Sequence, residues 1–466
     1  MTKGNKYGYF RRKFIQSSLA ISALTVLPAC SMKQSVNGQG KYVYDLTAEP
    51  STAELVKGFS TNVLAFNGQI PAPTIRCRQG EKVTIRFTNK LSEPTTIHWH
   101  GLRIPIEMDG VPFLSQPPIM PDETFIYEFT PPDAGTFWYH PHMNSVKQLG
   151  MGLVGLIIVE ESTPVQFDEE HALMLKHWHI DKQGQWKDLM IPRLSARMGT
   201  QGEWSSVNGI HEPIYQLKQH ATTRLRIANV DNTITYPIAI EGAEAWVIAI
   251  DGNPVKTPYK LTQHKIGPGM RVDLGLIAPK VGGRVNVLQM KGRFPFSLCE
   301  FEVVGSTLIE GQALPLLPLN PVPNLDLVNA EEIDFVFEWE GAVSPVSKDG
   351  KFMPKFWLTN KRAWEGMSKD NIPEPLATLE LGKTYIFDLK NVTQYHHPIH
   401  IHGHTFTVLE LDGKKIEEPF HTDTVLLGKN GRAKAAFVAD NPGRWMYHCH
   451  VIEHMKTGLM GYIEVK

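Results

Sequence analysis

Near the end of the chain, Tyr447 to Met455 reads YHCHVIEHM, with three histidines and a cysteine inside seven positions. A lone cysteine in a core strand is usually a small apolar filler; Cys449 instead lies between His448 and His450. The same His-x-His spacing recurs as His98/His100, His140/His142 and His400/His402. In an extended strand residues i and i+2 share a face, so each pair points two imidazoles the same way. Eight converging imidazoles suit copper, zinc, nickel or iron. Cys449 has the opposite parity to its neighbours and faces a different site on the other side. His454 follows five residues later, and His397 sits just before the third pair. Two histidines and a cysteine form the trigonal ligand set of a blue-copper centre. Zinc held by His and Cys is the competing assignment, although the Cys-x-x-Cys spacing usual for zinc is absent. Backbone joining Cys449 to both flanking histidines would also carry electrons between two sites, which redox-inert zinc cannot use.

Strands must present these pairs, and the chain repeats them. TTIHWHGL (Thr95 to Leu102), YPIAIEGA (Tyr236 to Ala243) and HPIHIHGH (His397 to His404) each alternate with a period of two and run into a glycine. Aligning Gly101, Gly242 and Gly403 matches His98 with Ala239 and His400, and His100 with Glu241 and His402. A second set follows: GTFWYHPH from Gly135, GRVNVLQM from Gly283 and GRWMYHCH from Gly443, with Leu288 and Met290 standing where the outer copies have histidine. The sequence therefore predicts three related β units, the outer two bearing histidine pairs. With 38 Gly and 33 Pro among 466 residues, it reads as many short strands joined by turns. The units are expected at 40–165, 166–312 and 327–466, each long enough for its own β-sandwich core. The proline-rich ALPLLPLNPVPNLD, Ala313 to Asp326, is a stiff spacer between the last two. With 47 basic and 48 acidic residues, no basic excess points to nucleic acid.

Residues 1–30 read as a signal rather than fold. Arg11-Arg12 precedes a modest apolar stretch, too short for a stable bilayer span, and matches a twin-arginine export signal. Leu27-Pro28-Ala29-Cys30 resembles a lipoprotein cleavage box, the alternative being cleavage at an ordinary small-residue site. The mature protein is then periplasmic, with a lipid anchor on Cys30 as one option and no transmembrane helix. Cys77, Cys299 and Cys449 remain, an odd number, so at least one is unpaired.

HWHG, HPH, HPIHIHGH and HCHVIEH, in this order, resemble the four copper signatures of the multicopper oxidases, the family of laccases and cuprous or ferrous oxidases. The resemblance covers essentially the whole mature chain. It implies an all-β fold of three consecutive cupredoxin-like Greek-key β-sandwich domains, four copper ions, dioxygen and a small reducing substrate as reactants, and a monomer. Carried over motif by motif, it implies a type 1 copper on His397, Cys449 and His454. It implies a type 2 copper on His98 and His400, and a type 3 pair on His100, His140, His142, His402, His448 and His450. Electrons would pass from the type 1 site through Cys449 to the trinuclear cluster, where dioxygen is reduced to water. A structural relative that had lost its metals would lack ligands, and all ten histidines and the cysteine are present.

The chain departs from the family pattern in four places. The type 1 axial position falls on Leu459, which cannot coordinate, with Met460 next to it; a missing thioether implies a higher reduction potential. Met455 stands where bacterial relatives carry an acidic residue, leaving Asp109 in IPIEMDG to relay protons. The 16 methionines are scattered rather than clustered, and Thr393 stands where a carboxylate would help bind a metal-ion substrate. Phenol-like donors are therefore expected, with ferrous or cuprous ion, or a copper-tolerance role with low turnover, as alternatives. His177 and His179 in HWHI have no matching pair and read as structural, as do His211 and His264; His396, His404 and His421 read as supporting or surface groups.

Overall fold

The computed structural model describes residues 42–341, 355–364 and 367–466. The segment expected to be an export signal, and Cys30, lie outside the described residues. Six sheets form three sandwiches. In the first, the strands Tyr42–Val56, Phe59–Phe66, Val83–Asn89 and Thr124–Phe129 make one sheet. The other holds Ile75–Arg78, His98–His100, Gly135–His140 and Gly155–Glu160. One apolar core draws on both, from Leu46, Ile85 and Tyr127 on one side and Trp99, Tyr139 and Ile157 on the other. The second and third sandwiches each pair a six-stranded with a five-stranded sheet around a core of their own.

The internal repeat is visible in the ladders. His98 pairs with His140, Ala239 with Leu288, and His400 with His448, all antiparallel. The middle unit thus keeps the register and carries apolar side chains at the two histidine positions. A one-residue slip would exchange the faces of every strand residue. The shared register therefore keeps both outer pairs aimed at one another.

The spacer after the second sandwich is pinned to the first. Asn320 donates to the carbonyls of Ala134 at 2.9 Å and Gly252 at 3.2 Å, and accepts from Ala134 N–H at 2.9 Å. Arg103 of the first sandwich donates to Pro321 O at 3.0 Å. Cys77 and Cys299 are each buried and free, in the cores of different sandwiches.

Candidate metal centre

Strand alternation sorts the ligand-type residues into two groups. Trp99, Ile399 and Ile401 point into the cores, so His98, His100, His400 and His402 point out of them. His397 shares the parity of Ile399, and with Cys449 it faces into the third sandwich, where Cys449 is a core residue. His448 and His450, on either side, join the outward set.

That outward set converges between the first and third sandwiches. His98 stacks on His402, and His100 on His400, each with 3.8 Å between ring centres. Ring nitrogens of His98, His100 and His140 lie within 4.8 Å of one another, as do those of His98, His400 and His402 and those of His142, His402 and His448. All are buried. Burial pulls His100, His140, His142, His402, His448 and His450 well below the usual histidine range, and His400 below it. They are held neutral, the form that binds metal.

The outer nitrogen of most of these rings is tied down. His98 Nδ1 donates to Asp109 O at 2.8 Å, His140 Nδ1 to Pro141 O at 3.1 Å and His400 Nδ1 to Asp423 O at 2.9 Å. His448 Nδ1 donates to Cys449 O at 2.9 Å and His402 Nδ1 to Asp109 Oδ2 at 2.9 Å. Carbonyls and carboxylates only accept, so these five rings turn an unprotonated Nε2 toward the centre. The Nε2 atoms of His98, His140 and His400 have no hydrogen-bond partner among the described residues. Those of His402 and His448 face each other at 3.1 Å, lone pair toward lone pair. Buried acceptors without donors are costly. A cation satisfies all of them at once, so the residues fit copper.

Asp109 is brought here by a turn at the end of the short 3-10 helix Ile106–Met108. Gly110 follows with φ of +80°, and a Cβ there would lie 1.7 Å from the Ile97 carbonyl. Only glycine permits that approach, which carries the Asp109 carbonyl onto His98 while its carboxylate reaches His402.

On the other side of the strand, Cys449 Sγ lies 3.6 Å from His397 Nδ1 and 3.7 Å from His454 Nδ1, with those nitrogens 3.2 Å apart. His454 Nε2 donates to Arg197 O at 2.7 Å, and His397 Nε2 to the Thr393 hydroxyl at 2.9 Å, leaving both Nδ1 atoms for the centre. Burial pulls His454 down to about 3 and pushes the Cys449 thiol up, so a thiolate here requires a bound cation. Leu459 belongs to the same apolar core as Cys449, whereas Met460 packs with Trp364, Met455 and Tyr462 in another cluster.

Sequence reasoning missed three buried groups. Asp423 accepts from Arg271 and from His100. Burial would raise its carboxyl, and the Arg271 guanidinium overrides this and holds it below the usual range. Glu453, beside His454, accepts from the Ser195 hydroxyl and from Thr200 N–H and Oγ1 at 3.0 Å, tying the segment that carries the Arg197 carbonyl to the site. His177 bonds the Tyr236 hydroxyl at 2.6 Å and His179 the Thr200 carbonyl at 3.0 Å, in keeping with structural roles.

The depressed histidines fix a pH dependence for the metal-free protein. Unfolded, each titrates near about 6.5; folded, it takes a proton only at lower pH. The unfolded chain binds more protons below that value, so stability is full above about pH 6.5 and falls as pH drops through it, by up to about 1.4 kcal/mol per unit for each such histidine. Calorimetry of the metal-free protein is expected to give a thermal midpoint that declines steeply between about pH 6.5 and 5. A midpoint flat over that interval would contradict the neutral cluster.

The chain matches the multicopper oxidase family in three places, over residues 47–164, 169–282 and 338–466. It is similar to the crystal structure of a multi-copper oxidase from Pseudomonas thermotolerans, at 45% identity and a TM-score of 0.84, covering 91% of this chain and 99% of that one. It is 28% identical to Multicopper oxidase mco of Staphylococcus epidermidis over 100% of this chain and 97% of the relative. A Campylobacter jejuni multicopper oxidase described as a metallo-oxidase is 26% identical, with a TM-score of 0.79, over 94% of this chain and 95% of that one. Relatives named as laccases also match. This chain belongs to the multicopper oxidases, copper-dependent oxidoreductases that use dioxygen as electron acceptor.

Proposed function

We propose that the protein is a laccase-like oxidase holding four coppers. His397, Cys449 and His454 hold the type 1 ion with Leu459 as a non-coordinating axial neighbour. His98 and His400 hold the type 2 ion, and His100, His140, His142, His402, His448 and His450 the type 3 pair. The observation that carries this reading is the place of Cys449: its thiol is within 3.7 Å of two imidazole nitrogens while its chain neighbours belong to the eight-histidine cluster. Copper bound in these sets supplies one-electron redox change and the site where dioxygen becomes water.

The chain's own residues do the rest. Cys449 offers a covalent path of a few bonds from its sulfur to His448 and His450. Asp109, buried against His98 and His402, is the carboxylate we assign to proton delivery, since four protons must accompany four electrons. The Thr393 hydroxyl, not a carboxylate, meets the outer nitrogen of His397, and the neighbouring Lys265 and Lys429 are exposed cations. This surrounding favours neutral phenolic donors over metal cations. Ferrous or cuprous ion is the second reading, kept because a metallo-oxidase is among the relatives. The twin-arginine segment supports export to the periplasm, with a lipid anchor on Cys30 as an option and a monomer as the working state.

The test is copper loading of the mature protein followed by visible spectra and oxygen uptake with a phenol and with ferrous ion. An intense blue absorption band, the mark of a copper–thiolate centre, and faster uptake with the phenol are expected. Faster uptake with ferrous ion selects the second reading. Blue colour without oxygen uptake points to copper handling, and absence of the band removes the type 1 assignment.

A further inference from the structure

His100 is held the opposite way round from its neighbours. Five cluster histidines donate through Nδ1 and present Nε2. In His100 it is Nε2 that lies 3.0 Å from Oδ1 of Asp423, while Nδ1 has no partner among the described residues. A carboxylate held ionised only accepts, so the His100 proton sits on Nε2 and Nδ1 faces the cluster.

The acceptor is itself fixed from the middle sandwich. Arg271 grips Asp423 with both arms, Nη1 to Oδ1 at 3.0 Å and Nη2 to Oδ2 at 2.6 Å, the two-pronged geometry that a guanidinium matches best. Arg271 is held in turn: its Nε donates to Thr136 O at 3.1 Å, its Nη1 to Gly269 O at 3.1 Å, and its backbone N–H to Asp251 Oδ1 at 2.6 Å. The Thr424 hydroxyl donates to Asp423 Oδ1 at 2.7 Å. Every member is buried. The turn before Arg271 lies against the cluster itself. Gly269 has φ of +89°, and a Cβ there would be 2.8 Å from the His450 ring and 3.0 Å from that of His100.

We propose that Arg271 and Asp423 are a positioning pair through which the ligand-free middle domain sets the Nδ1-presenting form of His100. The first sandwich supplies the ligand, the third its acceptor and the second the clamp. The consequence for metal rests on the copper assignment above, whereas the tautomer of His100 can be read without metal.

The experiment uses the full mature chain with nitrogen-labelled histidine. In the metal-free wild type at neutral pH, NMR is expected to place the His100 proton on Nε2. Arg271→Met and Asp423→Ala are each expected to move it to Nδ1 or to a mixture, and Arg271→Lys to restore part of the wild-type signal. After copper loading, the same two variants should keep the blue band and lose copper from the cluster, with affinity reduced ~10- to 100-fold. The retained blue band shows the fold is intact; should Arg271→Met fail to fold, Arg271→Lys and Asp423→Asn carry the test. An unchanged His100 tautomer with full copper content in the folded variants overturns the proposal. Failure of the wild type to bind copper would instead remove the copper assignment and leave the tautomer result standing.

Discussion

Replacing Cys449 with serine is expected to abolish turnover while leaving most of the metal site in place. The hydroxyl is a poor ligand for a centre otherwise made of His397 Nδ1 and His454 Nδ1. His448 and His450 keep their backbone, and His448 keeps its bond to the carbonyl of residue 449. The variant should lose the blue band and one copper per chain, keep the cluster coppers, and oxidise donors at least ~10³-fold more slowly, about 4 kcal/mol in the barrier. Elemental analysis, visible spectra and oxygen uptake check it together. Persistent oxidase activity without the blue band would show that donors reach the cluster by another route.

The second large effect is expected at Asp109. Its carboxylate accepts from His402 Nδ1 at 2.9 Å and stands 3.1 Å from His98 Nδ1, which also meets the Asp109 carbonyl at 2.8 Å. Asp109→Ala removes the acceptor of His402 entirely but leaves His98 its carbonyl. Asp109→Asn keeps an amide oxygen for His402 and the backbone carbonyl for His98, but it removes the charge that can carry a proton and sets an amide donor against the His98 Nδ1–H. Both variants should lose about 10²-fold in kcat, combining poorer ligand orientation with slower proton delivery. The donor meets the protein elsewhere, so KM for the donor should hold. A KM that rises with kcat unchanged would move Asp109 out of the oxygen chemistry.

How much of this was legible in the sequence depends on how each signal is encoded. The four His-x-His pairs were readable because strand alternation is local and the repeat supplies an internal control. The ladders His98–His140, Ala239–Leu288 and His400–His448 keep the alignment made on the glycines. The opposite facing of Cys449 followed from parity alone. Asp423 and Arg271 gave no such signal. They meet each other 152 residues apart, and Asp423 meets His100 323 residues away, so no spacing rule connects them. Glu453 sat within the opening motif, yet its partners Ser195 and Thr200 lie in the middle unit, 258 and 253 residues away. The Leu459 and Met460 alternatives were separated only by strand direction: Met460 opens the strand Met460–Val465 and pairs with His448, which puts its side chain outside the core that holds Cys449. The spacer was expected as a rigid connector, and its anchoring through Asn320 depends on the Ala134 and Gly252 carbonyls, which any sequence would offer.

Under the copper assignment proposed above, the division of ligands between the two outer sandwiches makes metal uptake a report on synthesis. Asp109 and His402 are 293 residues apart, and His98 groups with His400 and His402. An ion bound there would close a ring of about 300 residues, roughly two-thirds of the chain, a cross-link worth about 6 kcal/mol by the chain-entropy rule for so long a loop. The ring can close only after the strand His397–Ile401 of the third sandwich has been made and folded against the first domain. A chain that has built only the first two sandwiches would hold no cluster, so filling this site would report that the third sandwich has been made and docked against the first.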